Sequence, residues 1–86
     1  MIRVRFFALV RELVDCSQLD IAANFSADTA ATAGALRAAL AARGDKWQLA
    51  LGERQVLIAV NQVMQDEHCL LQDGDEVAFF PPVTGG

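Results

Sequence analysis

The residues of this chain best suited to chemistry stand at its end, Pro81-Pro82-Val83-Thr84-Gly85-Gly86. Two glycines carry no side chains and few backbone limits, and the Pro-Pro pair favours a stiff, extended lead-out. Six residues reach ~20 Å at about 3.3 Å each. Such an arm can thread a narrow channel and present a bare carboxylate, that of Gly86, to a catalyst held in another protein. On spacing alone, a frayed terminus reads the same way. The remaining candidates carry less. Asp73 and Asp75 invite a metal or acid–base reading, yet they flank Gly74, and Asp favours turns for its own backbone contacts. Cys16 and Cys69 are far apart, form no CxxC pair, and are too few for an all-cysteine iron–sulfur cluster. With no electropositive neighbourhood in the sequence they read as inert thiols. His68 stands alone and receives no role, and no metal set assembles from Cys and His at the usual spacings.

The body that must hold this arm is small. At 86 residues one domain is expected, with a lean core. An apolar content of 53% and a mean hydropathy of +0.28 exclude disorder, which needs low hydrophobicity and high net charge. A net charge of −4 and a pI near 4.6 argue against nucleic acid, whose binding is driven by clustered Lys and Arg. An acidic surface suits a partner with a basic docking face. The start MIRVRFFALVREL holds charges at 3, 5, 11 and 12 and no signal-peptide apolar run. Nothing approaches the roughly 20 apolar residues of a membrane span. The expectation is a soluble cytoplasmic protein with reduced thiols.

Ile2, Val4 and Phe6 alternate with Arg3, Arg5 and Phe7, the period of a half-buried strand. From Val10 the period changes: Val10, Leu13 and Val14 mark a short amphipathic helix. Leu19, Ile21, Ala23 and Phe25 recur every second residue, which predicts a strand over about 18–25. Residues 26–43 are alanine-rich and helical by propensity. Ala33, Leu36 and Leu40 form the buried stripe there, Thr32 the N-cap, Gly44 the stop past the C-terminus, and Asp28-Thr29-Ala30-Ala31 an entry loop or an extra turn. Asp45 would cap a short turn whose Trp47, Leu49 and Leu51 close the core edge. Residues 56–60, apolar on both faces, read as a strand central in the sheet or covered twice. Asn61-Gln62 is a turn, Val63-Met64 begins a return strand, and Asp73-Gly74-Asp75 is a second turn. Residues 76–80 form the last strand, Val77 and Phe79 inward and Phe80 outward, ended by Pro81. The order makes an α+β roll with a mixed sheet packed on one main helix. It suits a β-grasp (ubiquitin-like) domain over 1–80 with a flexible, extended tail over 81–86, although pattern alone leaves several topologies open.

The block from Leu71 through Asp73-Gly74-Asp75-Glu76-Val77-Ala78-Phe79-Phe80 to the FPPVTGG ending closely resembles the small-subunit family of molybdopterin synthase. So do the start, Ile2-Arg3-Val4-Arg5-Phe6-Phe7-Ala8 with Val10-Arg11-Glu12-Leu13-Val14, and Ala59-Val60-Asn61-Gln62 in the middle. The resemblance spans essentially the whole chain. The clearest departure is the alanine-rich stretch around 26–34, which is longer than usual; Cys16 and Cys69 have no part in the family's chemistry. What the resemblance implies is a sulfur carrier of molybdenum cofactor biosynthesis with no bound cofactor and no catalytic acid, base or metal of its own. An adenylating enzyme of the ubiquitin-activating type would use ATP to activate the Gly86 carboxylate. A sulfur donor would then leave a thiocarboxylate, a covalent 1-thioglycine. The large synthase subunit would take the loaded tail and pass sulfur to cyclic pyranopterin monophosphate, in a heterotetramer of two small and two large subunits.

The partner face follows partly without the family. Phe7 and Phe80 fall opposite the core by alternation, Leu57 and Ala59 can join them, and Met64 lies just past the Asn61-Gln62 turn. An apolar patch beside a projecting arm (Pro81, Pro82, Val83, Thr84, then Gly85) is what docking needs, with aromatics as anchors. Internal cover or single exposure is the competing account. Arg11 reads as an ordinary solvated helix charge, with pairing to a partner's acid as the other option. Two other jobs use the same ending: a ubiquitin-like modifier conjugated through Gly86, or a thiamine-pathway sulfur carrier, whose family lacks the FFPPVTGG block.

Overall fold

A computed structural model of the chain describes residues 1–26 and 30–82. Asp28 and Thr29 of the expected lead-in loop, and Val83, Thr84, Gly85 and Gly86 of the tail, lie outside the described residues. The elements run β1 (Ile2–Phe6), α1 (Ala8–Val14), β2 (Gln18–Ile21), α2 (Ala33–Ala41), α3 (Asp45–Trp47) continuing into a π-helical turn (Gln48–Gly52), β3 (Leu57–Val60), β4 (Val63–Gln65) and β5 (Glu76–Phe80).

These strands form one five-stranded sheet in the order β2-β1-β5-β3-β4. β1 and β5 pair in parallel at its centre, with Phe6 beside Phe79. Every other pairing is antiparallel. A mixed sheet with first and last strands side by side and one main helix across it is a β-grasp. Alternation decides which face the helices cover. Ile2, Val4, Phe6, Ile58, Val60, Val77 and Phe79 all point inward and are buried, and Leu36, Leu40, Leu51, Val10 and Val14 meet them from the helical layer. The Phe6 ring sits at the junction, stacked on Phe79 at 6.2 Å and edge-on to Trp47 at 5.6 Å. Such aromatic pairs add about 0.5–1.5 kcal/mol beyond their area burial. No helix among the described residues is long and apolar enough to cross a membrane.

The start of α2 accounts for its exposed donors one by one. Ala33 N–H donates to the Cys69 carbonyl and Gly34 N–H to that of Glu67, both at 2.9 Å. Ala35 N–H donates to Thr32 Oγ1 at 3.0 Å, the expected N-cap. The segment 66–71 is thus laid across the helix end, and Leu71 N–H donates back to the Ala31 carbonyl. Gly34 permits this approach: a Cβ there would lie 3.0 Å from Glu67 Cβ and 3.1 Å from its carbonyl oxygen. Arg37 then ties three segments together. Its guanidinium donates to the Leu51 carbonyl, to the Arg54 carbonyl at 2.8 Å and to Glu67 Oε1 at 2.9 Å.

Four expectations need correction. β2 stops at Ile21, because Phe25 N–H turns back to the Ala22 carbonyl and the chain leaves the ladder; Ala23 and Phe25 still pack half-buried against the core. Gly44 is no helix stop: α2 ends at Ala41 with Ala42 as its cap, and Gly44 takes the N-cap position of α3, so that Asp45 is the first helical residue and not the cap. Leu49 does not close the core. The wider π-helical turn swings it outward, 42% exposed, and buries Ala50 and Leu51.

Candidate functional site

The outer face of the sheet is built by the same alternation that built the core. In register, Leu57 stands beside Phe80, Ala59 beside Ala78, and Met64 beside Ala59. Arg5 stands on the other side of Ala78. Phe7 prolongs the line of β1: its backbone is extended (φ −127°, ψ 154°) and its N–H donates to the Phe79 carbonyl at 3.2 Å. Only at Ala8 does the chain enter the left-handed region (φ 51°) and swing into α1. The Phe7 ring therefore stays on the outer face, where the Arg5 guanidinium lies over it at 5.2 Å.

The face is graded. At the end where β5 begins it carries the pairs Arg3–Asp20 (3.8 Å) and Arg5–Glu76 (3.7 Å). At the end where β5 finishes it carries Phe7, Leu57, Ala59, Ala78 and Phe80, with Met64 toward the β4 edge. Phe7 is 37% and Met64 57% exposed, while Leu57, Ala59, Ala78 and Phe80 are half-buried. The apolar end is the one from which the chain leads out through Pro81 and Pro82, both half-buried. Phe7, Met64 and Phe80 are thus brought to one face. Val83, Thr84, Gly85 and Gly86 lie outside the described residues. Ala78 belongs to the patch as well, and its outward parity within 76–80 is the sequence signal that marks it. Arg11 is exposed on α1 and makes no ion pair among the described residues.

The acidic turn belongs to the fold. Gly74 has φ +94°, which only glycine adopts easily. Asp75 accepts from Asn61 Nδ2 at 3.0 Å and from Gln72 N–H at 2.8 Å. Asp73 pairs with the Met1 amino group. That hydrogen bond and the amino group's charge hold the Asp73 carboxyl below the ordinary carboxylate range. Asn61 and Gln62 both have positive φ, as a tight hairpin turn between β3 and β4 requires. Asn61 also accepts from Glu76 N–H, which fixes this hairpin to the start of β5. Cys16 and Cys69 are free, half-buried thiols donating to the Gln18 and Leu70 carbonyls. Among the described residues no three His, Cys, Asp or Glu side chains gather as a metal set.

The mixed sheet with its first and last strands side by side is of the ubiquitin-like β-grasp class, and comparison with known proteins agrees. The ThiS family model matches residues 4–86, and the chain belongs to that family. It is 52% identical to the molybdopterin synthase sulfur carrier subunit of Escherichia coli K12 and 45% identical to that of Haemophilus influenzae, over the full length of each chain. Among solved structures it matches a chain of the complex of subunits 1 and 2 of molybdopterin-converting factor from Helicobacter pylori. There the identity is 30% and the TM-score 0.65, covering 99% of this chain and 97% of that one.

Proposed function

We propose that this chain is a sulfur carrier in molybdenum cofactor biosynthesis, acting in the cytoplasm as the small subunit of a molybdopterin synthase. The observation that carries the reading is the 52% identity over the full length of a curated molybdopterin synthase sulfur carrier subunit. The graded outer face beside the outgoing strand supports it, since a carrier must dock before its terminus is used.

In this reading residues 1–80 are the docking domain and 81–86 the delivery arm. A carboxylate is a poor electrophile until activated. An adenylating enzyme of the ubiquitin-activating type joins the Gly86 carboxylate to the AMP moiety of ATP and releases pyrophosphate. A donor supplying sulfur at the sulfide level attacks the Gly86 carbonyl carbon, the C–O bond to AMP breaks, AMP leaves with the electron pair, and a thiocarboxylate remains at residue 86. Phe7, Met64 and Phe80 seat the domain on the large subunit, and Pro81, Pro82, Val83, Thr84 and Gly85 lead into its active site. There the thiocarboxylate gives its sulfur to cyclic pyranopterin monophosphate. The small subunit supplies no acid, base or metal; the partner performs the catalysis. The Helicobacter pylori relative was solved as a complex of subunits 1 and 2, which supports a large-subunit partner here; the assembly we propose is a heterotetramer of two small and two large subunits.

The test is intact-mass measurement of the chain after ATP, activating enzyme and a sulfur source. Replacement of one oxygen by sulfur at residue 86 is expected. Removal of Gly86 should abolish molybdopterin formation and leave the fold unchanged; full activity of that truncation would end the carrier reading. Isopeptide adducts on cellular lysines in place of sulfur loading would favour the protein-modifier role.

A further inference from the structure

One step of the backbone is chemically weaker than the rest. Asp73-Gly74 is the one place where Asp or Asn precedes glycine. A residue without a Cβ leaves its own nitrogen open to approach, so the Gly74 nitrogen can reach the side-chain carboxyl carbon of Asp73 and close a five-membered ring. Little in the fold covers this step. The Asp73 side chain is 74% exposed. Gly74 has φ +94°, and a Cβ there would meet no atom of the described residues within 4 Å, its chain neighbours aside. Shape gives no protection, so whatever slows the ring closure must be a bond.

Two such bonds are present, and both come from Met1. The Gly74 N–H donates to the Met1 carbonyl at 2.9 Å, which directs the nitrogen toward the start of the chain. The Asp73 carboxylate pairs with the Met1 amino group, which favours its ionised form. Ring closure needs the opposite of each. The nitrogen must lose its proton and turn on the side chain, and the carboxyl must be in its acid form, with a hydroxyl to lose. The amino group's hydrogen bond and charge hold the Asp73 carboxyl low, with a lesser part from the Gly74 N–H itself, so the two reacting groups are already neighbours. The turn around them is closed by further bonds. Gln72 N–H donates to Asp75 Oδ2 at 2.8 Å. Asp75 N–H donates to the Gln72 carbonyl and Arg3 N–H to the Asp75 carbonyl, both at 3.0 Å.

We propose that Asp73 is the site at which this chain converts to isoaspartate, and that Met1 sets the rate by holding both reacting groups. When the Met1 contacts open, the Gly74 nitrogen gives its proton to solvent, attacks Asp73 Cγ, and a C–N bond forms. The bond from Cγ to the hydroxyl breaks, the departing hydroxide takes up a proton, and one water is lost, leaving a succinimide. Water then adds back to the ring. Addition at the former side-chain carbonyl restores Asp73. Addition at the backbone carbonyl breaks that carbonyl's bond to nitrogen, and the chain then runs through the side chain at unchanged mass. The product carries one extra methylene in its backbone. The bonds between residues 72 and 75 are cut for a turn without it, so the start of β5 loosens from β1 and from the Asn61 hairpin.

The experiment ages the full chain at neutral pH, counts isoaspartate by methyl transfer from an isoaspartyl methyltransferase, and locates the label by peptide mapping. Label is expected on peptides that contain Asp73 and on no others. Chain aged in urea, then freed of it for the assay, should gain label at least about tenfold faster, because local opening no longer limits the step. One glycine added before Met1 moves the amino group away and leaves the Met1 carbonyl in place. That chain should gain label about two- to fivefold faster than the parent, the factor an exposed ion pair commands. Asp73→Glu keeps a carboxylate near Met1 but can close only a six-membered ring, and should stay unlabelled. Equal rates in the folded and unfolded chain, or in the parent and the glycine-extended one, overturn the inference. So does label on any other Asp or Asn, label retained in Asp73→Glu, or no label even after urea.

Discussion

The two faces of the sheet are made by the same five strands and answer to different demands. On the inner face β1, β3 and β5 give their alternate residues to one closed cluster under α2, and Ile2, Val4, Val77 and Phe79, with Leu36 from the helix, have no solvent-exposed surface. On the outer face the same strands give Arg3, Arg5 and Glu76 at one end and Phe7, Ala78 and Phe80 at the other, none of them fully buried. Folding requires only the first arrangement. The second is left free to vary, so an apolar end that folding does not need is a sign of something else that does.

Neighbouring residues on β5 give the strongest way to break this contrast. Phe79→Ala should remove about 3–5 kcal/mol of stability, as full truncation of a core aromatic does, read from urea denaturation midpoints. If Phe80→Ala destabilised the domain as much, the two faces would not differ in role. The inner face also depends on its cover. Gly34→Ala pushes a methyl against Glu67 Cβ and its backbone, and should cost about 1–3 kcal/mol by overpacking, again seen in the midpoint. An unshifted midpoint would mean that segment 66–71 yields freely. For the outer face, Phe80→Ala should weaken large-subunit binding by about 1–2 kcal/mol, the range of an aromatic anchor, with a denaturation midpoint near that of the parent. Unchanged affinity by calorimetry would take Phe80 off the docking face.

The smallest effect belongs to the Asp73 pair with the Met1 amino group. A carboxyl held below its ordinary range contributes stability that is complete above that range. This contribution is lost as pH falls through the lowered value. Asp73→Asn should flatten the acid limb of stability in that window and change nothing at neutral pH beyond the loss of one exposed pair. An acid limb identical to the parent's would show that the pair adds nothing.

Most of the frame was legible because it is written in local periods. Ile2, Val4 and Phe6 declare their strand, residues 76–80 have the limits read from Pro81 and the Asp73-Gly74-Asp75 turn, and Thr32 caps α2 as its residue type suggests. The outer patch was legible by parity at Phe7 and Phe80. What escaped depends on contacts distant in sequence. Whether Leu49 or Ala50 faces the core is set by the widened turn at 48–52, which alternation and the α-helical period both misread. Nothing around Arg37 announces that its fork meets carbonyls 14 and 17 residues away. The meeting of Met1 with Asp73 follows only once β1 and β5 lie side by side.

That side-by-side placement has a mechanical meaning. β5 is hydrogen-bonded along both edges, parallel to β1 and antiparallel to β3. A pull on the chain beyond Phe80 acts along the strand, so the rungs on both flanks resist in shear and yield together rather than peeling singly. Whatever draws on the end of this molecule tugs against its most firmly anchored beam.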